Sequence, residues 1–100
     1  MKLGILVNTD KHPQDIIGLT NAAVSKGHEV IIFMMDDGVK LLSSPSVTGL
    51  CSKPGVRMGF CDHSAGKAGV SKEGIPSQVV CGSQFDNATM NHNADRVIVL

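Results

Sequence analysis

Val56 to Ala65, VRMGFCDHSA, is the stretch on which the fold turns. Its apolar run, broken only by Arg57 and Gly59, ends at Cys61. The polar turn Asp62-His63-Ser64 follows at once, and then the small residues Ala65-Gly66. That order is expected of a buried strand delivering one thiol to its own carboxyl end. In open α/β sheets ligands and chemistry collect there, because the turns face helix amino termini. N–H donors at such a place hold a thiol as thiolate, which is its reactive form.

Outward from this stretch the chain alternates strand and helix signals. Lys2–Asn8 (KLGILVN) and Glu29–Met35 (EVIIFMM) are nearly continuous apolar runs, the signature of strands buried on both faces. Ser77–Cys81 (SQVVC) and Arg96–Leu100 (RVIVL) predict two more. Between the first two, Pro13 suits a first helical turn, and Asp15 is well placed near the amino end. Ile16, Ile17, Thr20, Ala23 and Val24 then share one helix face, and Gly27 is a plausible stop. Asp36-Asp37-Gly38 predicts a turn before a short helix over Val39–Leu42. Ser43–Pro54 reads as loop with a helical turn or two around Val47–Ser52.

Gly66, Gly69 and Gly74 count against a helix after Ser64. Topology nonetheless asks for a crossover, expected over Ser64–Lys72. Ser83 with Asp86 three residues later predicts a capping box opening a helix over Gln84–His92. Five buried strands alternating with helices predict a three-layer α/β/α sandwich on a mainly parallel five-stranded sheet. A chain of 100 residues makes this one domain, residues 1–100.

Composition bounds the function. Hydrophobic residues are 42% with only three aromatics, so the core is aliphatic. Nine basic residues balance nine acidic ones, which leaves no electrostatic case for nucleic acid or an anionic membrane. No apolar run approaches membrane-spanning length, and Met1-Lys2-Leu3-Gly4 runs into strand without a signal-peptide pattern. Three cysteines without CxxC spacing do not make a disulfide framework, so a reducing cytoplasm is expected.

Two motifs fail on inspection. CDHSAGKA, from Cys61 to Ala68, has the Gly-Lys of a phosphate loop, but Cys61 replaces its first glycine and Ala68 its Ser/Thr. Cys61, His63, Cys81 and His92 match no standard zinc spacing, so no metal is expected.

Cys61 and His63 are the catalytic candidates. His63 is placed to stabilise a thiolate or move a proton near neutral pH. Asn8, Thr9, Asp62 and Ser64, all at strand ends, are candidates for lining the substrate side. Cys81, in a Val-Val-Cys run, is expected as buried core, and Cys51 as a thiol without function. Lys67 and the Asp36-Asp37 pair are expected as surface and turn residues.

The leading β-α-β unit, the turn Asp36-Asp37-Gly38-Val39 and a third strand ending in Cys61 resemble the DsrE/DsrF-like family of small sulfur-relay proteins. So does the close, Val79-Val80 to Gly82-Ser83 and then Ala94-Asp95-Arg96-Val97-Ile98. The likeness spans nearly the whole chain. It implies that Cys61 carries sulfane sulfur as a persulfide, with sulfur donor and acceptor proteins as partners and no diffusible cofactor. The chain departs from the family's pattern at Ala68-Gly69, where an Arg-Gly pair is frequent. Homo-oligomers, trimers or hexamers, are also implied. Leu41, Leu42, Val47 and Leu50 exceed what one short helix buries, so the contact between copies is expected at Leu41–Pro54. A non-enzymatic ligand- or partner-binding module, with Cys61 incidental, is the alternative.

Overall fold

The computed structural model describes residues 1–100. Five strands, β1 (Lys2–Val7), β2 (Glu29–Met34), β3 (Val56–Cys61), β4 (Val79–Gly82) and β5 (Arg96–Val99), form one sheet in the order β4-β3-β2-β1-β5. Every pairing is parallel. From β1 to β4 the chain steps one strand at a time toward one edge. The connections are α1 (Pro13–Ser25), a 3₁₀ stretch Asp36–Ser43, α2 (Pro45–Thr48), a second 3₁₀ stretch Gly49–Ser52, and α3 (Asp62–Ala68). The last step reverses direction through α4 (Gln84–Asn93) and sets β5 on the other side of β1.

The pleat sorts side chains between two layers. On the α1 side, Ile5, Val7, Val30, Ile32, Met34, Met58 and Phe60 pack with Ile16 of α1 and Val47 of α2 in one aliphatic core. Each fully buried chain of this size contributes about 1.5–3 kcal/mol. The other side holds only a small cluster, Phe33, Cys61 and Met90, beneath α4. α4 approaches so closely that a Cβ on Gly4 would stand 3.2 Å from Ala94, Met90 and Val97. The sandwich is therefore three-layered but lopsided, and its α4 side leaves Val80, Phe85 and Val99 exposed.

Three expectations need correction. Cys81 is exposed, not core. β4 is an edge strand with nothing beyond it, so its apolar run is covered only at Val79, which is 6% exposed, while Val80 is 57% exposed. The crossover helix begins at Asp62 rather than Ser64 and stops at Ala68, because Gly69 adopts the left-handed conformation (φ 70°) that ends helices. Leu41, Leu42, Val47 and Leu50 do not await a partner: all four are buried in the core of one chain. The short helical stretches between Asp36 and Ser52 fold them inward, where an open loop would have left them outside.

Candidate functional site

β3 ends at Cys61, which is also the cap residue before α3, so the thiol sits where strand becomes helix. Its pleat direction puts it with Phe33 and Met90 on the α4 side, 3% exposed. An open cavity of about 570 Å³ reaches it between Met35, Ser64, Gly82 and Gln84. Burial pushes the Cys61 thiol up, but hydrogen-bond donors outweigh it and the net shift is down. The donors are the Ser64 hydroxyl and main-chain N–H, the Gln84 side chain and the His63 main-chain N–H. A sulfur ringed by donors at a helix start is stabilised as the anion.

Ser64 is oriented from behind. Its Oγ accepts the Asp36 N–H at 3.0 Å, so the hydroxyl proton is free to point at the sulfur. Asp36 reaches that position with φ 48°, a left-handed conformation that Asp tolerates better than most residues. The turn after β2 thus shapes the site at the end of β3.

Each sequence candidate has a definite place. Ser64 lines the same cavity as Cys61. His63 contributes its main-chain N–H, and its exposed ring lines the cavity rim. Asp62 also lines the cavity, but its carboxylate pairs with Lys72 and lies within hydrogen-bonding reach of the Cys81 thiol. Asn8 and Thr9 do not line the Cys61 cavity. They follow β1, two strands from β3, and at roughly 4.8 Å per strand that is about 10 Å away. Gln84 was missed by sequence reasoning. No signal in the sequence marks it: only the structure shows that Gly82, at the end of β4, pairs with Cys61, and that the Ser83 capping box starts α4 at once.

Cys51 packs in the α1-side core while Cys61 faces α4, so the sheet separates them. Cys81 forms a second, outward-facing arrangement. Loss of water around the sulfur and the Asp62 carboxylate push this thiol up, with Lys72 working against them. Asp62→Asn should therefore speed alkylation of Cys81 at pH 7 several-fold, a full pKa unit being about tenfold in thiolate. Lys72→Ala should slow it. Mass-spectrometric rates per cysteine would check this, and shifts of the same sign in both variants would contradict it.

No group of three or more His, Cys, Asp or Glu side chains is arranged to hold a metal ion. No helix is long and apolar enough to cross a membrane.

The fold is shared with solved structures. The YchN protein of E. coli superposes with a TM-score of 0.71 at 13% identity, over 99% of this chain and 97% of that one. MTH1491 of Methanobacterium thermoautotrophicum, described as a protein of unknown function, gives 0.72 at 15% identity, over 99% and 98%. Among curated proteins none matches by sequence. The DsrE/DsrF-like family does match, over residues 1–100, and the chain belongs to that family.

Proposed function

We propose that the protein carries sulfane sulfur as a persulfide on Cys61, received from a donor protein and passed to an acceptor thiol. The feature that supports this best is the placement of Cys61 at a strand end, in an open cavity shared with His63, Ser64 and Gln84, where its pKa is drawn down. In the loading step the Cys61 thiolate attacks the outer sulfur of a donor persulfide. One S–S bond forms, one breaks, and the donor leaves as thiolate, so no external oxidant is needed. Unloading is the same exchange in reverse roles. Main-chain N–H groups and the Ser64 hydroxyl stabilise the Cys61 thiolate when it departs, and the His63 ring at the rim can carry the proton. No diffusible cofactor enters the scheme. A reducing cytoplasm suits three free thiols.

The test is incubation with a sulfane donor followed by peptide mass spectrometry. One added sulfur atom on Cys61 is expected. A chain that takes up none is instead a ligand- or partner-binding module with an inert thiol.

Family resemblance also favours a homo-oligomer. The exposed apolar residues Val80, Phe85 and Val99 all belong to the thinly covered α4 side, which supports that side as the proposed contact between copies. Light scattering at micromolar concentration should give a multiple of the chain mass, and Phe85→Asp should lower it. A monomer mass for the unaltered chain would overturn this.

A further inference from the structure

Three polar side chains on α4, at spacings of three and four residues, form a chain of hydrogen bonds that ends at sulfur. Asn91 Nδ2 donates to the Asn87 carbonyl at 2.8 Å and to Asn87 Oδ1 at 2.7 Å. With its oxygen taken, Asn87 turns Nδ2 forward and donates to Gln84 Oε1 at 3.1 Å. With its own oxygen taken, Gln84 presents only N–H. Its Nε2 lies 3.8 Å from Met35 Sδ, and Asn87 Nδ2 lies 3.9 Å from the same thioether. Gln84 and Met35 line the cavity over Cys61. Each amide's orientation follows from its neighbour, so the polarity is fixed along the whole helix face.

We propose that Gln84, aimed by Asn87 and Asn91, forms a subsite for anionic sulfur at Cys61, its amide N–H holding the Cys61 thiolate and the outer sulfur of a persulfide. For the outer sulfur the proposal rests on the sulfur-carrying reading above; for the thiolate it stands without it. Gln84 touches the reacting sulfur and stabilises its charge without exchanging protons, while Asn87 and Asn91, which act through it, are positioning residues. The apolar Met35 thioether on the same wall suits a soft, polarizable sulfur better than a hydrated oxyanion. The influence of Gln84 on Cys61 is in the direction the subsite requires, favouring the ionised form.

The test is the pH profile of Cys61 alkylation by iodoacetamide. The charged and titratable groups around it are Asp62 and His63 on α3, Asp36 after β2, Cys81 on β4, Lys72 before β4 and Asp86 on α4; none is replaced, and of the variants below only Asn87→Asp adds a charge. Gln84→Leu removes the donor. Asn87→Asp leaves the size unchanged but cannot donate to Gln84 Oε1, so the Gln84 amide turns over and sets its oxygen against the sulfur. Asn87→Ala releases Gln84 without adding charge and keeps α4 helical. We expect all three to move the Cys61 profile to higher pH, Asn87→Asp most. At pH 7 the rate should fall about threefold to tenfold. An unchanged profile in Gln84→Leu or in Asn87→Asp would overturn the proposal. Shifted profiles in a chain that never takes up sulfane sulfur would leave the thiolate subsite standing and remove the persulfide reading. Normal loading with unshifted profiles would do the opposite.

Discussion

Cys61→Ser is expected to bring sulfane loading down to background while the protein unfolds at nearly its normal temperature. The loss should be complete because neither other thiol can substitute. Cys51 lies in the core on the far side of the sheet, and Cys81 is held toward its protonated form beside Asp62. The fold should survive because a serine hydroxyl at that position meets the donors that serve the thiol, chiefly Ser64 and Gln84. With its polar atom partnered, the exchange should cost under about 1 kcal/mol. Alkylation of the unaltered chain gives a second reading. At pH 7 Cys61 should react before Cys81, since its lowered pKa offsets limited access through the cavity. Only well above the ordinary thiol value of 9.0, where the raised Cys81 thiol ionises as well, should the exposed Cys81 overtake it. Undiminished loading in Cys61→Ser, or Cys81 leading throughout, would sink the assignment.

The strands were legible because a parallel sheet writes itself into sequence as unbroken apolar runs. Val56–Cys61 was read with its true limits, and Lys2, Glu29 and Arg96 correctly open their strands. The capping box at Ser83 and Asp86 was equally plain, since it depends on two side chains at fixed spacing. Strand order was not legible, and the misreading of Cys81 follows from that. An apolar run looks the same on a central strand and on an edge, and only the order β4-β3-β2-β1-β5 shows that Cys81 lies at the rim. The distance of Asn8 and Thr9 from the thiol was hidden for the same reason: they share an end of the sheet with Cys61 but stand two strands away. The amides of α4 carried no signal at all. Gln84, Asn87 and Asn91 look like any solvated helix face until β4 is known to pair with β3 beneath them.

Gly38→Ala should be among the most destabilising single-methyl additions in the protein, although the residue is far from the thiol in sequence and carries no chemistry. A Cβ there would collide with the Val7 carbonyl oxygen and stand 2.7 Å from its carbon, both main-chain atoms at the end of β1. Neither can swing aside as a side chain would. The Val7 oxygen already accepts the Met35 N–H at 2.9 Å, and the Gly38 N–H donates to the Met35 carbonyl at 2.9 Å. The methyl group therefore forces the 3₁₀ stretch away from the sheet, and Val39, Leu41 and Leu42, all buried, go with it. Overpacking against backbone with loss of neighbouring burial should cost about 3 kcal/mol or more. For a domain of this size that lowers Tm by roughly 12–24 °C. The same displacement would carry Asp36 away from the Ser64 hydroxyl. The surviving folded protein should then show a higher Cys61 pKa, because Ser64 loses the contact that aims its proton. Gly49→Ala, where a Cβ meets nothing within 4 Å, is the matched control and should leave both properties unchanged. A Gly38→Ala protein melting within about 4 °C of the unaltered chain would show that the β1 end and the 3₁₀ stretch are not locked together as described.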